Sequence, residues 1–180
     1  MEMQIIVAGF GGQGILLLGQ LLAYSGMKAG REVTWIPAYG AEMRGGSANC
    51  SVIISDAPIA SPKVEDADAV IALNRPSMSL FEKSVKPGGA LIYNSSIIDI
   101  APSRADIRHY AVPCSEIADS LGNPRVTNMV ALGALMGIYN LFTVEALIEG
   151  LREKLGPSRE KLIPINQRAI IAGIEQTQNM

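Results

Sequence analysis

The chain has 180 residues, with 17 acidic and 15 basic side chains and a formal net charge of −2. This length predicts one domain spanning residues 1–180, and the nearly balanced charge does not indicate a basic surface for nucleic acid, so no nucleic-acid partner is expected. Charged residues make up 18% of the chain, against roughly 25% in typical soluble domains. Two explanations stay open: a surface buried against another subunit, or an α/β domain with both sheet faces covered.

From the N-terminus to about residue 121, apolar runs typical of buried strands alternate with helical patterns. Strands are expected over residues 4–9, 33–36, 47–55, 68–73, 90–93 and 107–112. Helices are expected over residues 12–29, 77–85 and 114–121. The first strand is expected to be a buried parallel strand, Pro37 to end the second, and residues 59–62 to form a short return strand.

From Asn128 onward the pattern is helical to the end. Helices are expected over residues 128–141, 143–155 and 160–177, with Gly156-Pro157 separating the last two. Strands that alternate with helices through right-handed crossovers form a doubly wound sheet. The fold class predicted is therefore α/β, with a Rossmann-like, mostly parallel sheet and C-terminal helices.

A glycine-rich turn lies between the first predicted strand and the first helix, where Gly9, Gly11 and Gly14 follow the spacing G-x-G-x-x-G. Such a turn directs free backbone N–H groups toward a phosphate. The candidate cofactor-binding residues of this first glycine loop are Gly9, Gly11, Gly12, Gln13 and Gly14.

A nicotinamide dehydrogenase would need an acidic residue roughly 20 residues beyond the loop, at the end of the second strand. That strand ends in Trp35-Ile36-Pro37, and Glu32 lies at its opposite end. The single histidine, His109, falls inside an alternating strand pattern typical of a structural or surface residue. With no Ser–His–Asp order or metal-binding histidine pair, the chain is not expected to carry out redox chemistry by itself.

A second glycine loop follows the second strand, at the sheet edge where open α/β folds bind ligands. Glu42 and Arg44 are two residues apart and suit a pair with each other or with a partner chain, while Gly45-Gly46 permits close approach of a backbone or cofactor. The alternative is a purely structural Ω-like loop. The candidate cofactor-binding residues of the second glycine loop are Tyr39, Gly40, Glu42, Arg44, Gly45 and Gly46.

Other polar and sulfur-containing residues have two interpretations each. Asn74, Asn94, Ser95 and Ser96 suit either ligand contacts at the carboxyl ends of strands or helix caps. Two cysteines are too few to hold a four-cysteine cluster or a structural zinc ion alone. Cys114 is either a small buried residue or a thiolate stabilised at a helix start.

The start Met-Glu-Met-Gln has no positive region typical of a signal peptide, and the apolar run Met129–Tyr139 is too short to span a bilayer. A cytoplasmic location and no membrane association are expected.

Three ordered motifs carry a resemblance to a known family: G-F-G-G-Q-G-I from Gly9, P-x-Y-G-x-E-x-R-G-G from Pro37, and V-I-I-S-D-x-x-I-x-S-P from Val52. Together with the turn Lys86-Pro-Gly-Gly89 and the helix start at Asn128, they resemble the gamma subunit of 2-oxoacid:ferredoxin oxidoreductases. The segment from Glu42 to Ser55 looks most similar to the 2-oxoglutarate type, with the branched-chain type next.

The resemblance implies a non-autonomous enzyme subunit that holds no cofactor alone. Thiamine diphosphate, magnesium and iron–sulfur clusters would belong to alpha, beta and ferredoxin-like delta-type subunits, with ferredoxin as electron acceptor and coenzyme A as co-substrate. The glycine loops would either cradle the coenzyme A pyrophosphate, with Arg44 near an anionic group, or pack against the thiamine-binding subunit. A stand-alone nucleotide-binding regulatory module and a scaffold subunit without ligand contact remain the alternatives.

Overall fold

The structure is a computed structural model that describes residues 1–39 and 46–180. Its strands are β1 (Glu2–Phe10), β2 (Glu32–Tyr39), β3 (Ser47–Ser55), β4 (Ala67–Ala72), β5 (Val85–Asn94) and β6 (Arg108–Val112). Its α-helices are α1 (Ile15–Lys28), α2 (Arg75–Phe81), α3 (Cys114–Ser120), α4 (Thr127–Tyr139), α5 (Val144–Leu155) and α6 (Ile163–Gln178). Short 3₁₀ helices cover Glu82–Ser84, Pro124–Val126 and Pro157–Leu162.

The six described strands form one sheet in the order β2-β3-β1-β4-β5-β6. The pairs β1–β4, β4–β5 and β5–β6 are parallel, which confirms the predicted mostly parallel α/β fold. Strand β3 runs antiparallel to both β1 and β2. The expectation of a parallel β1 therefore holds on its β4 side and is wrong on its β3 side.

Three local expectations fail for identifiable reasons. Pro37 does not end β2, because β2 lies at the sheet edge, where a missing N–H is tolerated; Pro37 pairs with Cys50. Residues 59–62 form no strand. Residues 86–89 lie within β5 as an irregularity, since Val85 is opposite Ala67 while Ala90 is opposite Ala69.

Two apolar clusters cover the two faces of the sheet. The larger one packs α1 and α3–α6 against side chains such as Ile5, Ile71 and Ile92. The smaller one, which includes Ile6 and Leu91, packs against α2 and the segment that precedes β6. Most helices therefore cover one face.

Helix α4 lies at the centre of the larger cluster and touches α6 through glycine. A Cβ atom on Gly133 would overlap the backbone carbonyl of Ile170, and one on Gly173 would overlap the carbonyl of Val130. The backbones of the two helices can approach this closely only because both positions lack a side chain.

We expect Gly133→Ala to destabilise the fold by about 1–3 kcal/mol, because α4 and α6 must separate to admit the methyl group. Helix propensity alone predicts the opposite sign, a gain of about 1 kcal/mol. Gly150→Ala on α5 is the matched control, since its Cβ would meet only side-chain atoms of Leu21 and Tyr24. Urea unfolding measures the free energy of unfolding of both variants, and a Gly133→Ala protein as stable as the control would contradict the packing argument.

Candidate functional site

The first glycine loop leaves the carboxyl end of β1 and opens α1. Gly12 and Gly14 have φ angles of 97° and 74°, in the region that favours glycine. Helix α1 has no side-chain cap at its N-terminus. Within the described residues, the N–H groups of Gly14, Ile15 and Leu16 have no hydrogen-bond acceptor. Free N–H groups and the positive end of the helix dipole make this turn suited to an anion.

Gln13 holds this loop against the neighbouring strand β4. Its Oε1 accepts a hydrogen bond from the N–H of Phe10 at 2.6 Å, and its Nε2 donates to the carbonyl of Leu73 at 3.2 Å. Gly9 lies inside β1, where a Cβ would come within 2.6 Å of Gln13 Oε1. Among the predicted ligand residues, Gln13 therefore uses its amide for hydrogen bonds within the protein. Gly9 is a glycine because a side chain there would overlap Gln13.

The two glycine loops meet at the same sheet edge. The N–H of Gly11 donates to the carbonyl of Gly46 at 2.9 Å. Tyr39 is the last residue of β2 and pairs with Ala48 near the start of β3, which runs antiparallel to β2. The predicted residues Gly40, Glu42, Arg44 and Gly45 lie outside the residues that the structure describes.

Asn128, at the start of α4, holds the first glycine loop from the other side. Its Nδ2 donates to the carbonyl of Gly14 at 3.2 Å, and the residue is 4% exposed. A Cβ on Gly14 would overlap this amide, so glycine is required there for space as well as for its φ angle. The sequence placed Asn128 only at a helix start, without a role at the loop.

Two adjoining cavities border the first glycine loop. One, of about 420 Å³, lies between the loop, Pro124–Val126 and the helices α5 and α6; the other, of about 330 Å³, extends toward α3. Gly12 and Arg125 line both. Arg125 is exposed, and among the described residues its guanidinium has no carboxylate partner. Arg125 was not identified as a candidate from the sequence, because a single cationic residue after Asn-Pro forms no recognisable motif.

The polar residues at the ends of β4 and β5 bind backbone N–H groups at helix starts. Asn74 Oδ1 accepts from the N–H of Ser77 at 2.8 Å, at the start of α2. Asn94 Oδ1 accepts from the N–H of Ser115 at 3.3 Å, and Ser96 Oγ accepts from that of Glu116 at 3.1 Å, both in α3. The cap interpretation is confirmed for Asn74, the N-cap of α2. Asn94 and Ser96 instead contact the start of α3 from about 20 positions earlier in the chain, and the N-cap residue of α3 is Pro113.

Titratable groups in the described residues form no metal-binding cluster of three or more. His109 is exposed on the edge strand β6. Burial raises the pKa of the Cys50 thiol to about 11 and that of Cys114 to about 12. These values favour the small buried residue over the activated thiolate.

In the described part of the chain, no helix combines the length and apolar character needed to cross a membrane.

Comparison with known proteins identifies relatives over nearly the whole chain. The family model described as pyruvate ferredoxin/flavodoxin oxidoreductase matches residues 4–176. Ketoisovalerate oxidoreductase subunit VorA of Methanothermobacter thermautotrophicus is 39% identical, over 97% of this chain and 36% of its own length. The chain thus spans about a third of that relative. The 2-oxoglutarate synthase subunit KorC of Methanocaldococcus jannaschii is 31% identical, over 89% of this chain and 88% of its own.

Two solved structures share the fold. The gamma subunit of a keto/oxoacid ferredoxin oxidoreductase from Geobacter sulfurreducens has a TM-score of 0.84 and 26% identity, and the match covers 99% of both chains. The 2-oxoglutarate:ferredoxin oxidoreductase of Magnetococcus marinus, with 2-oxoglutarate, coenzyme A and succinyl-CoA bound, has a TM-score of 0.90 and 30% identity. That match covers 99% of this chain and 31% of the other.

We expect Gln13→Ala to loosen the first glycine loop, because it removes the hydrogen bonds to Phe10 and Leu73. The expected cost is about 1–2 kcal/mol, with faster amide hydrogen exchange at Phe10. Gln20→Ala in α1 is the control, since no side-chain hydrogen bond of Gln20 is found among the described residues. Unchanged exchange at Phe10 in Gln13→Ala would show that the amide does not hold the loop.

The raised thiol pKa values predict a loss of stability at high pH. An unfolded thiol ionises near a pKa of about 8.5, whereas Cys50 and Cys114 stay neutral in the folded chain to about 11 and 12. Their contribution is complete below about pH 8.5 and is lost as pH rises toward the folded values, by up to about 1.4 kcal/mol per pH unit for each thiol. Urea unfolding between pH 8 and 10 should show a flatter profile for the Cys50→Ala/Cys114→Ala protein, and equal slopes would refute the assignment.

Proposed function

The chain belongs to the pyruvate ferredoxin/flavodoxin oxidoreductase family, and from that membership we propose that it is the gamma-type subunit of a cytoplasmic 2-oxoacid:ferredoxin oxidoreductase. The observation that carries the proposal is the match to the Geobacter gamma subunit over 99% of both chains. The complex would convert a 2-oxo acid, coenzyme A and oxidised ferredoxin into acyl-coenzyme A, carbon dioxide and reduced ferredoxin.

In this proposal the chemical step takes place on partner subunits. Thiamine diphosphate with magnesium would supply the decarboxylation chemistry there, and iron–sulfur clusters would take up the electrons. Alpha, beta and ferredoxin-like delta-type chains are the proposed partners, and ferredoxin is the proposed electron acceptor.

The proposed role of this chain toward a ligand is to bind coenzyme A. Coenzyme A carries a pyrophosphate, and the start of α1 offers N–H groups without acceptors among the described residues. Arg125 adds a positive charge beside Gly12. The Magnetococcus structure that shares this fold holds coenzyme A, which supports the same role here.

The 2-oxo acid has two candidates. The segment from Glu42 to Ser55 favours 2-oxoglutarate, whereas identity is higher with the ketoisovalerate subunit, at 39%, than with the 2-oxoglutarate subunit, at 31%. A branched-chain substrate is therefore the second candidate, and competition between 2-oxoglutarate and 2-oxoisovalerate in the complex decides between them.

We expect the chain by itself to reduce no ferredoxin, and the complex purified from the native cell to do so only with a 2-oxo acid and coenzyme A. The measurement is ferredoxin reduction followed by absorbance, with identification of the co-purified chains. Turnover by the isolated chain, or a complex without thiamine-dependent partners, would overturn the proposed function.

Within that complex, we expect Gly12→Ala to raise KM for coenzyme A about tenfold with little change in KM for the 2-oxo acid. An alanine at φ 97° strains the loop by about 1–2 kcal/mol and shifts its N–H groups. Gly30→Ala is the matched control, because Gly30 also has a positive φ of 74° and open space around it, at the far end of α1. Equal KM values for both variants would argue against a coenzyme A contact.

A further inference from the structure

We propose that the outer surface of β2 and β3 is the docking face for a separate subunit, the counterpart of the part of VorA that lies outside the match with this chain. The inference rests on the proposed function, because it requires a multi-subunit complex, and it specifies which surface of this chain meets the partner. This surface, the open sheet face, consists of Phe10, Ile36, Ala38, Ser47, Asn49 and Ser51.

Strand register places these six residues on one side of the sheet. Ile36 lies opposite Ser51, and Ser51 lies opposite Ile6, which belongs to the smaller apolar cluster. Residues that lie opposite each other on antiparallel strands share a face of the sheet. The other two cross-strand pairs of the open sheet face are Ala38–Asn49 and Phe10–Ser47. The face therefore lies on the same side of the sheet as α2.

Helix α2 leaves large apolar side chains of this face in contact with solvent. It packs mainly on β1 and β4, toward the middle of the sheet. Ile36 is 41% exposed and Phe10 is 39% exposed. Exposed apolar surface that is continuous across neighbouring strands is typical of an interaction site.

The open sheet face contains no charged residue, in contrast to the solvent-facing surface of α5. The exposed residues of α5 are Glu145, Glu149, Arg152, Glu153 and Lys154, all of them charged. The centre of a protein interface is depleted in charged residues, because a buried charge without a partner is costly. Ser47, Asn49 and Ser51 can exchange hydrogen bonds with a partner. The open sheet face thus has the composition of an interface centre.

A cavity of about 240 Å³ opens on this face. Ile6, Ile36 and Ser51 line it from the sheet, while Val64 and Phe81 line it from the segment after β3 and from α2. This volume lies below the roughly 300–1,000 Å³ of small-molecule sites. It suits one apolar side chain of a partner, and an anchor of this kind supplies much of the binding energy at an interface.

The relatives indicate which partner covers the face. The match with this chain covers 36% of VorA and 31% of the Magnetococcus chain, so in both the domain is one part of a longer polypeptide. Where the remaining part is a separate subunit, a noncovalent surface must replace that covalent link. Permanent interfaces are the more apolar ones, as the open sheet face is. Pairing along the edge of β2 is disfavoured, since Pro37 lacks an N–H.

The test measures binding of variants of this chain to the partner chain that is purified from the native complex and matches the remainder of VorA. We expect Ile36→Lys and Ala38→Lys each to raise the dissociation constant at least about tenfold, because binding would bury an ammonium group without a partner. Both residues are exposed on an edge strand, so urea unfolding of the isolated variants should differ little from that of the unmodified chain.

Ile171→Lys is the matched control, because Ile171 is an isoleucine of similar exposure, 38%, on α6 at the other side of the sheet. It should bind the partner as the unmodified chain does. Equal dissociation constants for all three variants would overturn the inference, while ferredoxin reduction by the complex would still support the proposed function. A homodimer of the isolated chain that Ile36→Lys dissociates would also overturn it, by assigning the face to a second copy. A complex that reduces no ferredoxin would overturn the proposed function, whatever the dissociation constants.

Discussion

Two carboxamide side chains hold the turn between β1 and α1, and the candidate site depends on them. Gln13 binds the turn to the end of β4, and Asn128 binds it to the start of α4. These amides connect the loop to its surroundings. The backbone N–H groups at the start of α1 have no acceptor among the described residues. An anion site is preorganised when its own donors stay free while neighbouring groups hold its backbone in place.

The reversed strand β3 determines what surrounds that turn. Because β3 is antiparallel to both β1 and β2, β2 ends and β3 begins at the sheet edge where β1 ends. Gly46, the last residue of the second glycine loop, therefore contacts Gly11 in the first. A wholly parallel sheet would have needed a crossover between β2 and β3 instead of a hairpin. The same reversal leaves β2 as an edge strand, which explains why Pro37 is accommodated within it.

Much of the fold was predictable from local patterns, and parts of the site were predictable for the same reason. The ranges of β3, α5 and the first glycine loop follow from apolar periodicity, caps and turn residues, each of which acts over a few neighbouring positions. The position of Arg125 beside the two cavities was not predictable, because neither its flanking residues nor its charge distinguishes it from an ordinary surface arginine. Gln13 was predicted as a ligand residue, but its amide is used to hold the loop.

The sequence by itself determined the strand-turn-helix at the N-terminus and the α/β class. These properties depend on residue type and short spacing, which limit backbone angles and the periodicity of burial. Only the tertiary structure decided the direction of β3 and the position of Asn128, which contacts Gly14 across 114 positions of sequence. Strand direction and long-range contacts depend on which surfaces pack together, and a local pattern specifies that a face is apolar without specifying its partner.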